Sequence, residues 1–382
     1  MAGTLMGIVR WPLRRYLGWC VAMAGSIAMA CCACCPPPLG AVPSTYNVGF
    51  TICDFSYSDG GAEEVVLTTA IWYPTEEEPA TYTYNNGYTS SVAWEALPCT
   101  EDGPYPLVVF NHGAYASGIS ALPFAERLAG EGFIVAAPDY IDTVPPDFIE
   151  QVAFNRTRGS EGVTDAGDVL EAVAQFADMM EEHRDIFLAY MEEVRLSKCR
   201  FVLDQVVALD QDSASPLYGI VDEESIGMAG HSLGGLTTLG LIGGHPDEAM
   251  RDERIEAALL LSSPVYPFED GAGDIDIPLM VMHGDHDLPL IRPDIQRGVV
   301  YEGACPPKFY LVLAQSGHLT FGNAPCLGYD YIPQCTASDK RVGAIADYGS
   351  AFFLRYLKGD VEAELQLQAQ SDALATYEWE LP

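Results

Sequence analysis

A chain of 382 residues, 49% of them hydrophobic, is long enough to bury the core of one large α/β domain or two ordinary ones. Its 54 acidic residues against 19 basic ones give a formal net charge of −35, which repels nucleic acid and anionic membrane surfaces and leaves neutral or cationic small molecules as the easier partners. The acidic side chains are scattered, as on a solvated surface, and the densest run, EDGAGDID at 269–276, lacks the Asp-x-Asp-x-Asp-Gly spacing of a calcium loop.

Residues 1–41 read as an export leader and spacer. Arg10, Arg14 and Arg15 precede an uncharged stretch from Tyr16 to Cys35, and Ala28-Met29-Ala30 offers small residues for cleavage. A cleaved signal peptide, a lipidated Cys31 and an uncleaved anchor all fit this stretch, so membrane attachment is expected only through the leader of a secreted or periplasmic protein. Pro36 to Pro38 forms a stiff spacer. Beyond the leader stand Cys53, Cys99, Cys199, Cys305, Cys326 and Cys335, enough for three disulfides whose pairing the sequence does not reveal. None of these six makes a Cys-x-x-Cys pair and no histidine lies at zinc-binding spacing, so no metal is expected.

From residue 46 onward, strand-like runs alternate with helical ones. Strands are predicted at 63–74, 105–113, 132–140, 225–230, 255–263, 277–284 and 308–315, and helices at 119–132, 162–183, 199–210 and 342–360. The alternation predicts an α/β domain over 46–360, with a mostly parallel central sheet flanked by helices. Residues 142–197 carry no strand signal and read either as a helical cap-like insertion or as a plain helical layer. Residues 361–382 are polar and acidic, and read as a peripheral helix or a partly mobile tail.

The chemistry centres on Gly230-His231-Ser232-Leu233-Gly234, a Gly-x-Ser-x-Gly elbow between a predicted strand and a helix. A nucleophile on so sharp a turn has strained backbone angles, and its neighbours must lack bulk for strand and helix to approach. A serine hydroxyl also needs a base, and the base an orienting acid. Downstream, one strand runs into Asp285 and Asp287 and the next into His318, so Ser232, Asp287 and His318 follow the chain order of the α/β-hydrolase triad. Asp287 is preferred as acid because it lies beyond the turn Gly284-Asp285-His286, which Asp285 is expected to cap. Of seven histidines, only His318 combines this order with a strand-end loop. His231 is expected to point away from the nucleophile, and His183 and His245 to lie on the surface. The amide of Leu233 and that of Ala114, in FNHGAYASG at 110–118, are the candidate oxyanion donors, with Tyr115 next after Ala114.

On these residues, and on AIWYPT, FIVAAPDY, CRFVLDQVVAL, IPLMVMHGDHD and SGHLTFGN, the chain resembles the secreted α/β-hydrolases related to dienelactone hydrolase, platelet-activating-factor acetylhydrolase and bacterial cutinase-like polyester hydrolases. The likeness covers most of 46–358. It implies the α/β-hydrolase fold and cofactor-free hydrolysis of a small-molecule or lipid-like carboxylic ester through an acyl-enzyme, whereas spacing alone implies only acyl transfer. Ser232 stands where dienelactone hydrolases use cysteine. The strand before that of Asp287 ends in LLSSPVYP, with no carboxylate until Glu269 at the place where the acetylhydrolases carry their acid. Ala114 and His231 stand where polyester hydrolases tend to carry aromatics, with Tyr115 adjacent to replace one, so Tyr115 and His231 are the expected substrate contacts. Amide cleavage by the same triad, polyester cleavage, and a non-catalytic binding protein are the alternatives, and the oligomeric state is not legible.

Overall fold

Strands that are apolar on every side chain must be covered on both faces, and the central ones here are. The computed structural model describes residues 45–57, 65–140, 183–269 and 275–382. β5 (Tyr105–Asn111) is buried along its whole length. Its Leu107 and Val109 meet Val202, Leu203 and Val206 of a long helix on one face, while Val108 and Phe110 meet Phe124, Leu128, Phe352 and Phe353 on the other. The helices on the second face are α1 (Leu122–Gly130) and, near the C-terminus, Lys340–Leu357.

The other strands are β1 (Asn47–Tyr57), β2 (Val65–Thr75), β3 (Ala80–Thr83), β4 (Thr89–Trp94), β6 (Ile134–Pro138), β7 (Val221–His231), β8 (Ile255–Leu261), β9 (Leu279–Gly284), β10 (Lys308–Leu313) and β11 (Leu374–Glu380). They form one sheet in the order β11-β10-β9-β8-β7-β5-β6-β2-β1-β4-β3. The run from β10 to β6 is parallel throughout. β2 and β11 then join its two sides antiparallel. The α/β architecture with a mostly parallel, helix-flanked sheet is therefore as expected, and all seven predicted strands are present.

After β5 the chain moves to one side to form β6 and returns on the other to form β7. The crevice at such a reversal, beyond the carboxyl ends of the strands, is where open α/β sheets place ligands. Between β6 and β7, the described part of the chain is helical: α2 (Arg184–Tyr190), a π-helical turn at Met191–Leu196 and α3 (Ser197–Gln211). The leader, the helix predicted at 162–183 except its last residue, the 142–182 part of the proposed insertion and residues 270–274 of the acidic loop lie outside the described residues.

Two expectations are narrowed. Of the two readings of 361–382, the helix holds for Val361–Gln368, and the segment then adds β11, which was not expected and pairs antiparallel with β10 from Lys308 opposite Glu380. Of the six cysteines beyond the leader, Cys326 and Cys335 are bonded, whereas Cys53, Cys99, Cys199 and Cys305 are free thiols, so one disulfide forms where three were allowed by count.

A buried polar chain fastens the β3–β4 edge to α1. Trp72 Nε1 donates to the Tyr84 hydroxyl at 2.9 Å, Tyr84 donates to Glu126 Oε1 at 2.9 Å, and Ser90 Oγ donates to Glu126 Oε2 at 2.6 Å. Burial pushes the Glu126 carboxyl up to about 7, although both hydroxyls pull the other way. A raised folded-state value means stability that is full below the unfolded value of 4.5 and is lost as pH rises through about 7. Glu126→Gln is therefore expected to gain on the wild type by about 3 kcal/mol between pH 4.5 and 7.5. Urea unfolding of both proteins across that range checks it, and a constant difference would refute it.

Candidate active site

One residue separates β7 from the next helix, α4 (Leu233–Leu239), and that residue is Ser232, at φ 55° and ψ −122°. Such angles are strained for a side chain with a Cβ and persist only where the surroundings enforce them. Here the Ser232 amide donates to the Leu261 carbonyl of β8 at 2.9 Å, and the Ser232 carbonyl accepts from the Leu236 amide at 3.1 Å. The flanking glycines follow from contact: a Cβ on Gly230 would overlap the Gly234 carbonyl, and one on Gly234 would overlap the Asn111 carbonyl at the end of β5.

β9 and β10 bring the other two residues to the same end of the sheet. His318 Nε2 lies 2.9 Å from Ser232 Oγ, and His318 Nδ1 lies 2.9 Å from Asp287 Oδ1. The Asp287 carboxylate also accepts from the amides of Leu288 at 2.8 Å and Gly284 at 3.1 Å. Burial pushes its pKa up, but hydrogen bonds from His318, Ser262 and the Gly284 amide outweigh this and hold it below the ordinary carboxylate range. Asp285 does not cap its own turn as expected; the Gly284 amide is taken by Asp287 instead. Asp285 Oδ1 accepts from the Ser316 amide at 3.0 Å, which ties the Asp287 turn to the loop that carries His318.

Ser262, which the sequence did not single out, sits at the junction of this chain. It follows β8 directly, is fully buried, and has a φ of 48°. Its Oγ donates to Asp287 Oδ2 at 2.6 Å and lies 2.7 Å from His318 Nδ1. With the hydroxyl proton committed to Asp287, the Nδ1–H of His318 faces both Asp287 and the Ser262 oxygen. The remaining Nε2 lone pair is then free to accept from Ser232.

The other histidines are held elsewhere. His231 does not point away, as expected, but packs against His318, with ring centroids 4.8 Å apart, and against Phe321. Its Nε2–H donates to the His318 carbonyl at 3.0 Å, and burial together with the neighbouring His318 lowers its pKa to about 3. It is a neutral wall behind His318 with its proton already placed, not a competing base. His245 is buried rather than superficial, 3.2 Å from a Glu192 carboxylate oxygen. His183 is half-buried just before α2.

The loop after β5 reaches the same point. A Cβ on Gly113 would lie 3.2 Å from Ser232 Cβ, which puts this backbone against the nucleophile candidate. Ala114 is buried, and the next residue, Tyr115, is half-buried with a φ of 55°. On the other flank, the Leu233 amide opens α4 and belongs to the first turn, whose N–H groups have no intrahelical acceptor. A cavity of about 390 Å³ opens beside His318, lined by His286, Leu288, Leu319, Ala324, Pro325 and Arg341 among others. A larger one, about 500 Å³, is lined by Glu126, Lys340 and Asp347 and by none of Ser232, Asp287 and His318, whereas His318 lines the smaller.

Among the described residues, no group of three or more His, Cys, Asp or Glu is placed to hold a metal ion. No known protein-family model matches the sequence. The arrangement itself consists of a strained hydroxyl, an imidazole in hydrogen-bond contact with it, a carboxylate on the far imidazole nitrogen and two backbone segments against the hydroxyl. Chemically, such a set can carry out acyl transfer.

Proposed function

We propose that this protein is a serine hydrolase of the α/β-hydrolase fold, and within that class an exported carboxylic ester hydrolase. The hydrogen-bonded chain Ser232–His318–Asp287, buried at the reversal of strand order, carries this reading. In the proposed cycle, Ser232 Oγ attacks the ester carbonyl while His318 Nε2 takes its proton. The amides of Leu233 and Ala114 receive the charge that develops on the carbonyl oxygen. His318 then returns the proton to the departing alcohol, leaving an acyl-Ser232 ester. A water molecule, deprotonated by the same nitrogen, attacks this ester and releases the acid. Asp287 stays ionised throughout, holding the imidazole and balancing its transient charge.

The cavity beside His318, with Leu288, Leu319 and Pro325 among its walls, suits an apolar substituent on the ester. Tyr115 remains a proposed substrate contact, whereas His231, buried behind His318, is withdrawn as one. The test is turnover of p-nitrophenyl butyrate beside its matched butyranilide. The reading predicts rapid hydrolysis of the ester and little of the anilide. Comparable rates on both would make the protein an amidase, and turnover of neither would leave a binding protein on the same scaffold.

A further inference from the structure

Arg195 is fully buried in the π-helical turn Met191–Leu196, where nothing in the proposed cycle touches it. A buried guanidinium is expensive unless its donors are used, and here both terminal nitrogens donate to the loop after β5. Nη1 donates to the His112 carbonyl at 2.8 Å, and Nη2 reaches the Gly113 carbonyl at 3.4 Å. The guanidinium also lies over the Tyr140 ring, 4.6 Å from its centroid. The Gly113 carbonyl takes two more donors, the imidazole of His112 through Nδ1 at 2.7 Å and the Ala116 amide at 3.2 Å. The tautomer of His112 follows from its other side: Nε2 accepts from the Tyr140 amide at 2.9 Å, so Nδ1 carries the proton.

In a trans peptide, C=O and the following N–H point in opposite directions. Three donors on the Gly113 carbonyl therefore fix the direction of the Ala114 N–H as well. We infer that Arg195 and His112 are positioning residues that clamp the Gly113 carbonyl and thereby aim the Ala114 N–H at the developing oxyanion. The inference rests on the hydrolase reading. It also gives the stretch between β6 and β7 a part in the chemistry, since Arg195 comes from that stretch and not from a strand end.

The clamp is tested by kcat per active site, with sites counted by fluorophosphonate titration, and by the affinity of a trifluoromethyl ketone that forms the tetrahedral adduct. Removing an oxyanion donor outright typically lowers kcat about 100- to 1000-fold. Arg195→Met, which leaves the donor present but unaimed, is expected to lose about 10- to 100-fold in kcat, to weaken the ketone in parallel and to keep KM. Arg195→Lys should fall between. A variant damaged only in folding would lose titratable sites and keep its kcat per site. If neither Arg195 variant folds, two changes at His112 decide the matter. His112→Asn keeps a donor near Nδ1, whereas His112→Gln keeps an acceptor near Nε2, so Asn is expected to retain the higher kcat. Wild-type kcat per site in Arg195→Met, or Gln equal to Asn, would overturn the clamp while leaving the esterase reading intact. A wild type that neither titrates at Ser232 nor turns over the ester would overturn both.

Discussion

Ser232→Ala is expected to lower kcat for ester hydrolysis by roughly 10⁵- to 10⁶-fold, with the folded protein and its thermal transition preserved. The magnitude follows from the proposed covalent step. Without Oγ there is no acyl-enzyme, and what remains is whatever the oxyanion donors and substrate binding give an unactivated water. His318→Ala should fall to a similar level, because an unactivated hydroxyl and an absent one are nearly equivalent at neutral pH. The double variant should then be little worse than either single one, since residues that act as a unit are grossly non-additive. Initial rates on p-nitrophenyl butyrate, with circular dichroism as the control for folding, check both. Losses that multiplied in the double variant would mean that the two residues act independently.

Asp287→Asn is the second large effect, a loss of roughly 10⁴-fold in kcat. Asparagine keeps the shape but loses the charge, and it presents an N–H toward His318 Nδ1 in one of its two orientations. The lost charge leaves the transient imidazolium unbalanced, and the N–H orientation disfavours the tautomer that leaves Nε2 free to accept from Ser232. The carboxylate is held below its ordinary range, so its contribution to stability is present above the unfolded value of 3.8 and is lost only as pH falls through the lower folded value. Asp287 should therefore set no limb of the activity profile near neutrality. Ser262 makes a graded companion. Ser262→Ala removes the 2.6 Å bond to Asp287 Oδ2 but leaves that carboxylate the His318, Leu288 and Gly284 donors, so a loss of only about tenfold in kcat is expected. Steady-state kinetics of the pair settle the order, and a Ser262→Ala effect as large as that of Asp287→Asn would make Ser262 an equal partner.

The central strands were legible because burial on both faces demands unbroken apolar runs such as Leu107 to Phe110 and Leu279 to Met282. The edge strands were not. β1, β3, β4 and β11 mix polar residues, acidic ones in β1 and β11, with aromatics and are fixed by contacts from distant segments. Ser90 on Glu126 is one such contact, and Glu378 on Arg297 is another. The same division runs through the site. The elbow could be read locally because steric overlap at Gly230 and Gly234 forces a particular residue type. Ser232, Asp287 and His318 could be picked out by chain order and strand ends. Ser262 and Arg195 left no local sign. A serine in LLSSP and an arginine in MEEVRL look ordinary until the sheet sets β8 beside β9 and the helix lays its guanidinium on the loop after β5. His231 shows the converse: its place beside the nucleophile was plain, but its packing against His318 depends on a loop 87 residues away.

The claim that carries the rest is that Ser232 is a nucleophile activated by His318. Its most direct measurement is peptide mass spectrometry after brief exposure to a fluorophosphonate, on the wild type and on His318→Ala. The account predicts a single adduct on the peptide containing Ser232 in the wild type, formed at least several hundred times more slowly in the variant. A folded wild type with no adduct at Ser232, or an adduct that forms equally fast without His318, would contradict it.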